Sequence, residues 1–93
     1  MDKWLNTTEN DLMGWLQFGI TIDAKYMCVI FDYTEPRPFF IFKEQGLISQ
    51  MYNIHKIYGD KSLLCVINLD EHCFDKVPMT VAAINSFSIG VEN

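Results

Sequence analysis

The sequence predicts one small α+β domain over residues 1–93, in two layers, with helices covering one face of a mostly antiparallel sheet. Two patterns lead to this fold class. Apolar runs of strand length stand at residues 27–31 and 63–67. Between them, residues 46–58 carry apolar side chains at the spacing of an amphipathic helix. The predicted order of elements is α-β-β-α-β-β.

Residues 8–18 form the first predicted helix. Thr8 caps it, Asp11 stands at capping-box spacing, and Glu9 places negative charge in the first turn, where it complements the helix dipole. Apolar side chains then spread around most of the helix, and Gly19 is the expected stop. A short helix that is apolar on nearly every side is either deeply buried or binds something.

Residues 26–43 form a predicted antiparallel hairpin. Its first strand is strongest over residues 26–33, and its second strand is the aromatic stretch 39–42. The loop 34–38 contains two prolines in three residues, which forbid a regular helix there. We therefore expect a stiff loop between the two strands.

Residues 46–58 form the second predicted helix, and residues 62–70 form the third strand. One stripe of the helix follows the spacing i, i+4, i+7 and i+11, and its members are Leu47, Met51, Ile54 and Tyr58, with Ile48 widening it. We expect this stripe to pack against four sheet residues, Val29, Ile30, Val66 and Ile67.

Residues 79–87 fit either a short helix or a fourth strand. Val81 and Ile84 are β-branched, and the segment ends in a sequence that is poor for a helix. We therefore predict a strand here, after a loop at residues 71–78.

The composition is that of a small acidic globular protein. Apolar residues make up 49% of the chain and charged residues 20%, which argues against intrinsic disorder and against a coiled coil. Twelve acidic residues against seven basic ones give a net charge of −5. Direct binding of nucleic acid needs clustered Lys and Arg and is not expected. The two tryptophans, four tyrosines and seven phenylalanines exceed what so small a core encloses, so we expect a homodimer or larger homo-oligomer.

Cysteine usage and the N-terminus predict a cytoplasmic protein. The chain has three cysteines, of which Cys28 and Cys65 stand inside apolar runs and are expected to be buried, reduced and structural. Cys73 lies in the predicted loop and is expected to react readily with a thiol probe. The N-terminus has no apolar leader segment, and no apolar run is long enough to span a membrane, so no membrane partner is expected.

Acidic residues follow two predicted strands and suggest one alternative site. Asp32 ends the first strand, while Asp70, Glu71 and His72 end the third. If those strands are parallel neighbours, the carboxylates share one edge of the sheet and can hold Mg²⁺ or Mn²⁺. The simpler interpretation is that acids gather where strands enter water, and no metal-binding spacing is present.

The predicted hairpin loop supplies the partner-binding residues. Arg37, the single arginine, stands between two prolines, and its neighbours Tyr33, Glu35 and Phe39 add charge and aromatic surface. A stiff loop loses little entropy on binding, and Arg and aromatic residues are enriched at protein interfaces.

We therefore expect a stoichiometric protein-binding module, with no enzymatic activity and no cofactor. Its profile is that of inhibitor or immunity-type proteins, many of them encoded by phages or mobile elements. One alternative is a small metal-dependent hydrolase or nucleotide-binding domain that uses the strand-end carboxylates. Another is a structural subunit that associates only with itself.

Overall fold

The computed structural model describes residues 3–71 and 79–89. The described elements are α1 (Glu9–Thr21), β1 (Tyr26–Phe31), β2 (Pro36–Ile41), α2 (Leu47–Tyr58), β3 (Leu63–Asn68) and α3 (Val81–Phe87). The α+β class and the first five elements are confirmed, while the predicted fourth strand is wrong. Among the described residues, no helix combines the length and the apolar content needed to cross a bilayer.

The three strands form one sheet in the order β2-β1-β3, with both neighbours antiparallel to β1. The register places Tyr26 opposite Ile41 of β2 and opposite Asn68 of β3. Between β1 and β3 the register shifts, because Val29 pairs with Cys65 while Ile30 pairs with Leu63. The residue between those two partners on β3 therefore forms a β-bulge.

Helices cover both faces of this sheet, so the predicted two-layer arrangement is wrong. On one face α1 and α3 enclose a cluster that includes Leu16, Met27 and Ile84. On the other face α2 encloses a second cluster that includes Cys28 and Ile54. Successive side chains of a strand point to opposite faces, and in β1 both sets are apolar. A helix on each side is therefore needed to remove them from water.

Helix α1 begins as predicted and ends later. The amide of Asp11 donates to the Thr8 hydroxyl (3.2 Å), and the amide of Thr8 donates to the Asp11 carboxylate (2.9 Å), which completes a capping box. Gly19 does not stop the helix. It is buried where α1 approaches the sheet, and a Cβ there would lie 2.7 Å from a ring carbon of Phe40 and 2.9 Å from a methyl of Leu69. The glycine permits close packing instead of a turn.

The α2 stripe of Leu47, Met51, Ile54 and Tyr58 faces the sheet as the periodicity predicts, but Ile48 is 83% exposed and does not widen it. Ile54 is 1% exposed and packs in a cluster with Ile30 and Val66. The other two predicted sheet partners, Val29 and Ile67, belong to the opposite face, because they alternate with the contacting residues along their strands.

Residues 79–89 hold α3 where a fourth strand was predicted. The Thr80 hydroxyl accepts from the amide of Ala83 (3.1 Å), a helix N-cap that outweighs the β-branched residues. After α3 the chain reaches the outer edge of β3. There the Val66 amide donates to the Ser88 hydroxyl (3.0 Å), and the Ile89 amide donates to the Val66 carbonyl (2.8 Å).

The two prolines of the predicted loop 34–38 lie in β2 itself. Strand β2 is an edge strand, and the Ile41 carbonyl accepts from Lys25 on the β1 side (2.9 Å). Alternation then directs the nitrogens of Pro36 and Pro38 toward the free edge, where a missing N–H breaks no ladder bond. The same feature protects this edge against pairing with another strand.

We predict that Ile54→Ala lowers the free energy of unfolding by about 2–5 kcal/mol, because it leaves a cavity between α2 and the sheet. The matched control is Ile48→Ala in the same helix, where the side chain is 83% exposed. The control should change stability by less than about 0.5 kcal/mol. Urea unfolding of the three proteins tests this, and equal losses in the two variants would show that the helix phase is wrong.

Candidate functional site

The hairpin turn, residues 32–35, is organised by one carboxylate. Asp32 Oδ1 accepts from the amide (3.3 Å) and hydroxyl (2.9 Å) of Thr34 and from the amide of Glu35 (3.1 Å). The Asp32 amide in turn donates to the Glu35 carbonyl (3.2 Å). The stiffness predicted from the prolines therefore comes from Asp32. The sequence signal was an Asp two residues before a Thr, the pattern of an Asx turn.

These contacts shift the ionisation of Asp32. The hydrogen bond from the Glu35 amide is the largest influence that lowers the pKa of Asp32 below its ordinary value of 3.8. Loss of solvent around the carboxylate opposes it, while the Thr34 hydroxyl and amide and the positive charge of Arg37 lower the pKa further. The turn therefore favours the charged carboxylate.

Arg37 lies at the second position of β2 and not in a loop. Its Nε donates to Asp32 Oδ2, and its Nη2 lies 3.2 Å from Glu35 Oε1. A guanidinium carries five N–H donors, so three stay without a partner among the described residues. The side chain is held in place and is still 59% exposed.

Tyr33 fastens the turn to the C-terminal end of α2. Its hydroxyl donates to the Ile57 carbonyl (2.9 Å), and its ring centroid lies 6.2 Å from that of Tyr58. The residue adopts φ = 79°, a conformation that is rare for a side chain of this size. The hydrogen bond and the ring contact stabilise the residue in this conformation.

The four predicted partner-binding residues have different surroundings in the structure. Arg37 and Phe39 lie on the face that α2 covers, and Phe39 packs against the α2 cluster. Tyr33 turns toward the end of α2. Glu35 pairs with Arg37 and also lines a groove beside α1.

That groove, here called the turn groove, lies between the hairpin turn and the N-terminal part of α1. Its volume is about 330 Å³, and its lining is formed by Leu5, Asn6, Thr7, Asp11, Trp15, Thr34, Glu35 and Pro36. Trp15 is half-buried and Leu5 is 44% exposed, so the groove offers apolar surface. Asp11 and Glu35 add carboxylates. The surplus of aromatic residues in the sequence contains no signal that places one of them beside the turn.

The acidic cluster predicted at one sheet edge is divided in the structure. Because β1 and β3 are antiparallel, Asp32 and Asp70 follow their strands at opposite ends of the sheet. Asp70 pairs with Lys25 instead (3.6 Å), and Glu71 follows it at that far end. His72 lies outside the described residues, and among the residues that are described no three His, Cys, Asp or Glu side chains are grouped to hold a metal ion.

Two cysteines are buried, as the apolar runs predicted. Cys28 and Cys65 are free thiols with no exposed surface, and burial raises the pKa of each to about 12. A thiol with so high a pKa stays protonated and is a poor nucleophile at neutral pH. Cys73, expected to react readily, lies outside the described residues.

No protein-family model matches the chain, and no curated protein or solved structure matches it either.

We predict that the Asp32 carboxyl titrates below pH 3.8 in the folded protein, as followed by NMR of its side-chain carbon. Arg37→Ala should leave the pKa below that value, because the Glu35 amide is the larger influence. The charged form favours folding, so this stabilisation is present above the unfolded pKa and is lost as pH falls through the lowered folded value.

The comparison variant is Thr34→Ala, which removes the hydroxyl donor and should raise the pKa. A pKa that returns to 3.8 in Arg37→Ala alone would show that the ion pair, and not the hydrogen bonds of the turn, controls the ionisation.

Proposed function

We propose that the chain is a stoichiometric protein-binding module, of the inhibitor or immunity type, that blocks another protein through the hairpin turn and the turn groove. The observation that carries this proposal is Arg37, whose guanidinium is held by Asp32 and Glu35 and is still 59% exposed. A cytoplasmic location belongs to the same proposal, and the free thiols Cys28 and Cys65 suit a reducing compartment.

Preorganisation is what makes Arg37 a suitable anchor. A long side chain normally loses rotamer freedom when it is fixed at an interface, at a cost of about 0.5–1.5 kcal/mol. The carboxylates of Asp32 and Glu35 already fix the Arg37 side chain. Both carboxylates belong to the hairpin turn, which is closed by four hydrogen bonds. The remaining N–H donors are available to a carbonyl or carboxylate of the partner.

The turn groove supplies the apolar part of the same surface. Interfaces combine an apolar centre with a polar rim, and hot-spot side chains fill pockets in that centre. Trp15 and Leu5 form the apolar part, and the carboxylates of Asp11 and Glu35 form the rim. An apolar side chain of the partner, flanked by Lys or Arg, matches this lining. The net charge of −5 also steers a basic surface toward the chain.

We predict that Arg37→Ala weakens partner binding by about 1–3 kcal/mol, which is roughly ten- to a hundredfold in affinity. Glu35→Gln should also weaken binding, because it removes one of the two carboxylates that hold the Arg37 guanidinium and one negative charge at the rim of the turn groove. Glu44→Gln is the matched control, an exposed glutamate beyond the other end of β2.

The measurement begins with tagged protein incubated in a lysate of the source cells, with captured proteins quantified by mass spectrometry. The captured partner is then purified and titrated against each variant. The fold should survive Arg37→Ala, since the Asp32 carboxylate keeps its three hydrogen bonds within the turn. Equal affinity of Arg37→Ala and Glu44→Gln for the partner, or the absence of any 1:1 complex, would reject this surface.

Self-association is a second candidate function, favoured by the outer surface of α2. Ile48 is 83% exposed and Tyr52 is 67% exposed, and a spacing of four residues places them side by side on the helix. A second copy that packs against this pair would remove both from water.

We predict a homodimer at micromolar concentration, with a mass about twice the 10.8 kDa of one chain in light scattering. The double variant Ile48→Ser with Tyr52→Ser should return the protein to one chain, while Ile57→Ser, at an exposed position elsewhere on α2, should not. A mass of one chain for the unaltered protein across that range would exclude self-association.

A further inference from the structure

A second pocket, separate from the turn groove, opens where β3 begins. Its volume is about 330 Å³, and it is lined by Lys3, Phe31, Tyr33, Tyr58, Gly59, Asp60, Lys61 and Ser62. The N-terminal segment, the end of β1 and the connection from α2 to β3 meet here. We call it the lysine pocket.

The lysine pocket is a local positive site in an acidic chain. Lys3 and Lys61 both line it, against one carboxylate, that of Asp60. Within residues 3–71 and 79–89, neither ammonium forms an ion pair with a carboxylate. Lys3 Nζ donates to the Lys61 carbonyl, which brings the first lysine to the backbone of the second. Two cations against one anion favour a ligand with negative charge.

Aromatic rings supply the rest of the lining. Phe31 and Tyr58 are half-buried, and Tyr33 is 69% exposed. The rings of Tyr33 and Tyr58 are tilted by 43° with their centroids 6.2 Å apart. Such surfaces pack well against another flat ring. The lining therefore combines charge for an anion with surface for a ring.

Two backbone positions of unusual conformation border this pocket. Tyr33 has φ = 79° and Gly59 has φ = 101°. Glycine adopts positive φ without a steric penalty, so only the conformation of Tyr33 costs free energy. It places the tyrosine ring over the end of α2, where the ring becomes part of the pocket wall. Strained residues that surrounding contacts hold in place concentrate at ligand sites.

We propose that the lysine pocket binds a small molecule that carries an anionic group on a single flat ring, an aromatic carboxylate or an aromatic phosphate monoester. The two ammonium groups bind the anion and the aromatic side chains bind the ring. The volume lies near the lower end of the range for small-molecule pockets, which fits one ring and its charged group. The site shares Tyr33 with the hairpin turn, while its two lysines lie outside the proposed partner surface.

The experiment follows backbone amide shifts by NMR while four probes are added separately. Benzoate and phenyl phosphate carry both features, inorganic phosphate carries only the charge, and benzyl alcohol carries only the ring. We expect saturable shifts at residues 58–62 with benzoate, phenyl phosphate or both. The tighter of the two identifies the anionic group. Weaker binding of inorganic phosphate and of benzyl alcohol would confirm that charge and ring act together.

Lysine variants then test the assignment. Lys3→Gln and Lys61→Gln should each weaken binding of the better probe about tenfold, as expected for the loss of a charge-assisted hydrogen bond. Lys43→Gln, an exposed lysine after the far end of β2, should leave it unchanged. An unchanged amide spectrum without ligand shows that each variant is folded.

Three results would overturn the proposal. These are the absence of saturable shifts with either aromatic anion, equal binding of inorganic phosphate or benzyl alcohol, and equal affinity of the lysine variants and Lys43→Gln. Each is distinct from a failure of the partner surface, because that surface is tested at Arg37 and Glu35, which do not line the lysine pocket.

Discussion

The rest of the structure depends on the burial of β1 on both of its faces. Met27 and Val29 point into one cluster and Cys28 and Ile30 into the other, and none of the four is more than 3% exposed. A strand with no solvent-facing side needs a strand on each edge and a helix on each face. The positions of α1, α2 and α3 follow from that need.

Burial of both sheet faces leaves the edges and ends of the sheet and the outer surfaces of the helices accessible. The edge at β2 presents Pro36 and Pro38, and the edge at β3 bonds with Ser88 and Ile89, so neither invites strand pairing along its whole length. The end where β1 turns into β2 and β3 begins holds the ion pairs of Arg37 with Asp32 and Glu35. The turn groove and the lysine pocket both lie at that end, which is why it carries both proposals.

Hydrogen bonds and an ion pair to Asp32 order the hairpin turn at this end of the sheet. The Asp32 carboxylate accepts hydrogen bonds from the turn and pairs with Arg37, and the lowered pKa of Asp32 reflects those contacts. Tyr33 joins the turn to α2 through a hydrogen bond, so movement of the hairpin away from the helix must break that bond. A surface that is ordered before binding loses less entropy when a partner arrives. Hydrogen bonds and ion pairs, not the prolines alone, therefore order the hairpin turn.

The sequence by itself determined the elements whose signals are local. The capping box at Thr8, the helical stripe through Ile54 and the apolar run of β1 each depend on near neighbours in the chain, and each was predicted. Only the tertiary structure decided which faces the helices cover and that β3 runs antiparallel to β1, since both depend on residues far apart in sequence. The antiparallel direction of β3 places Asp32 and Asp70 at opposite ends of the sheet. Because an apolar strand looks the same whichever way its neighbour runs, no local pattern contained that information.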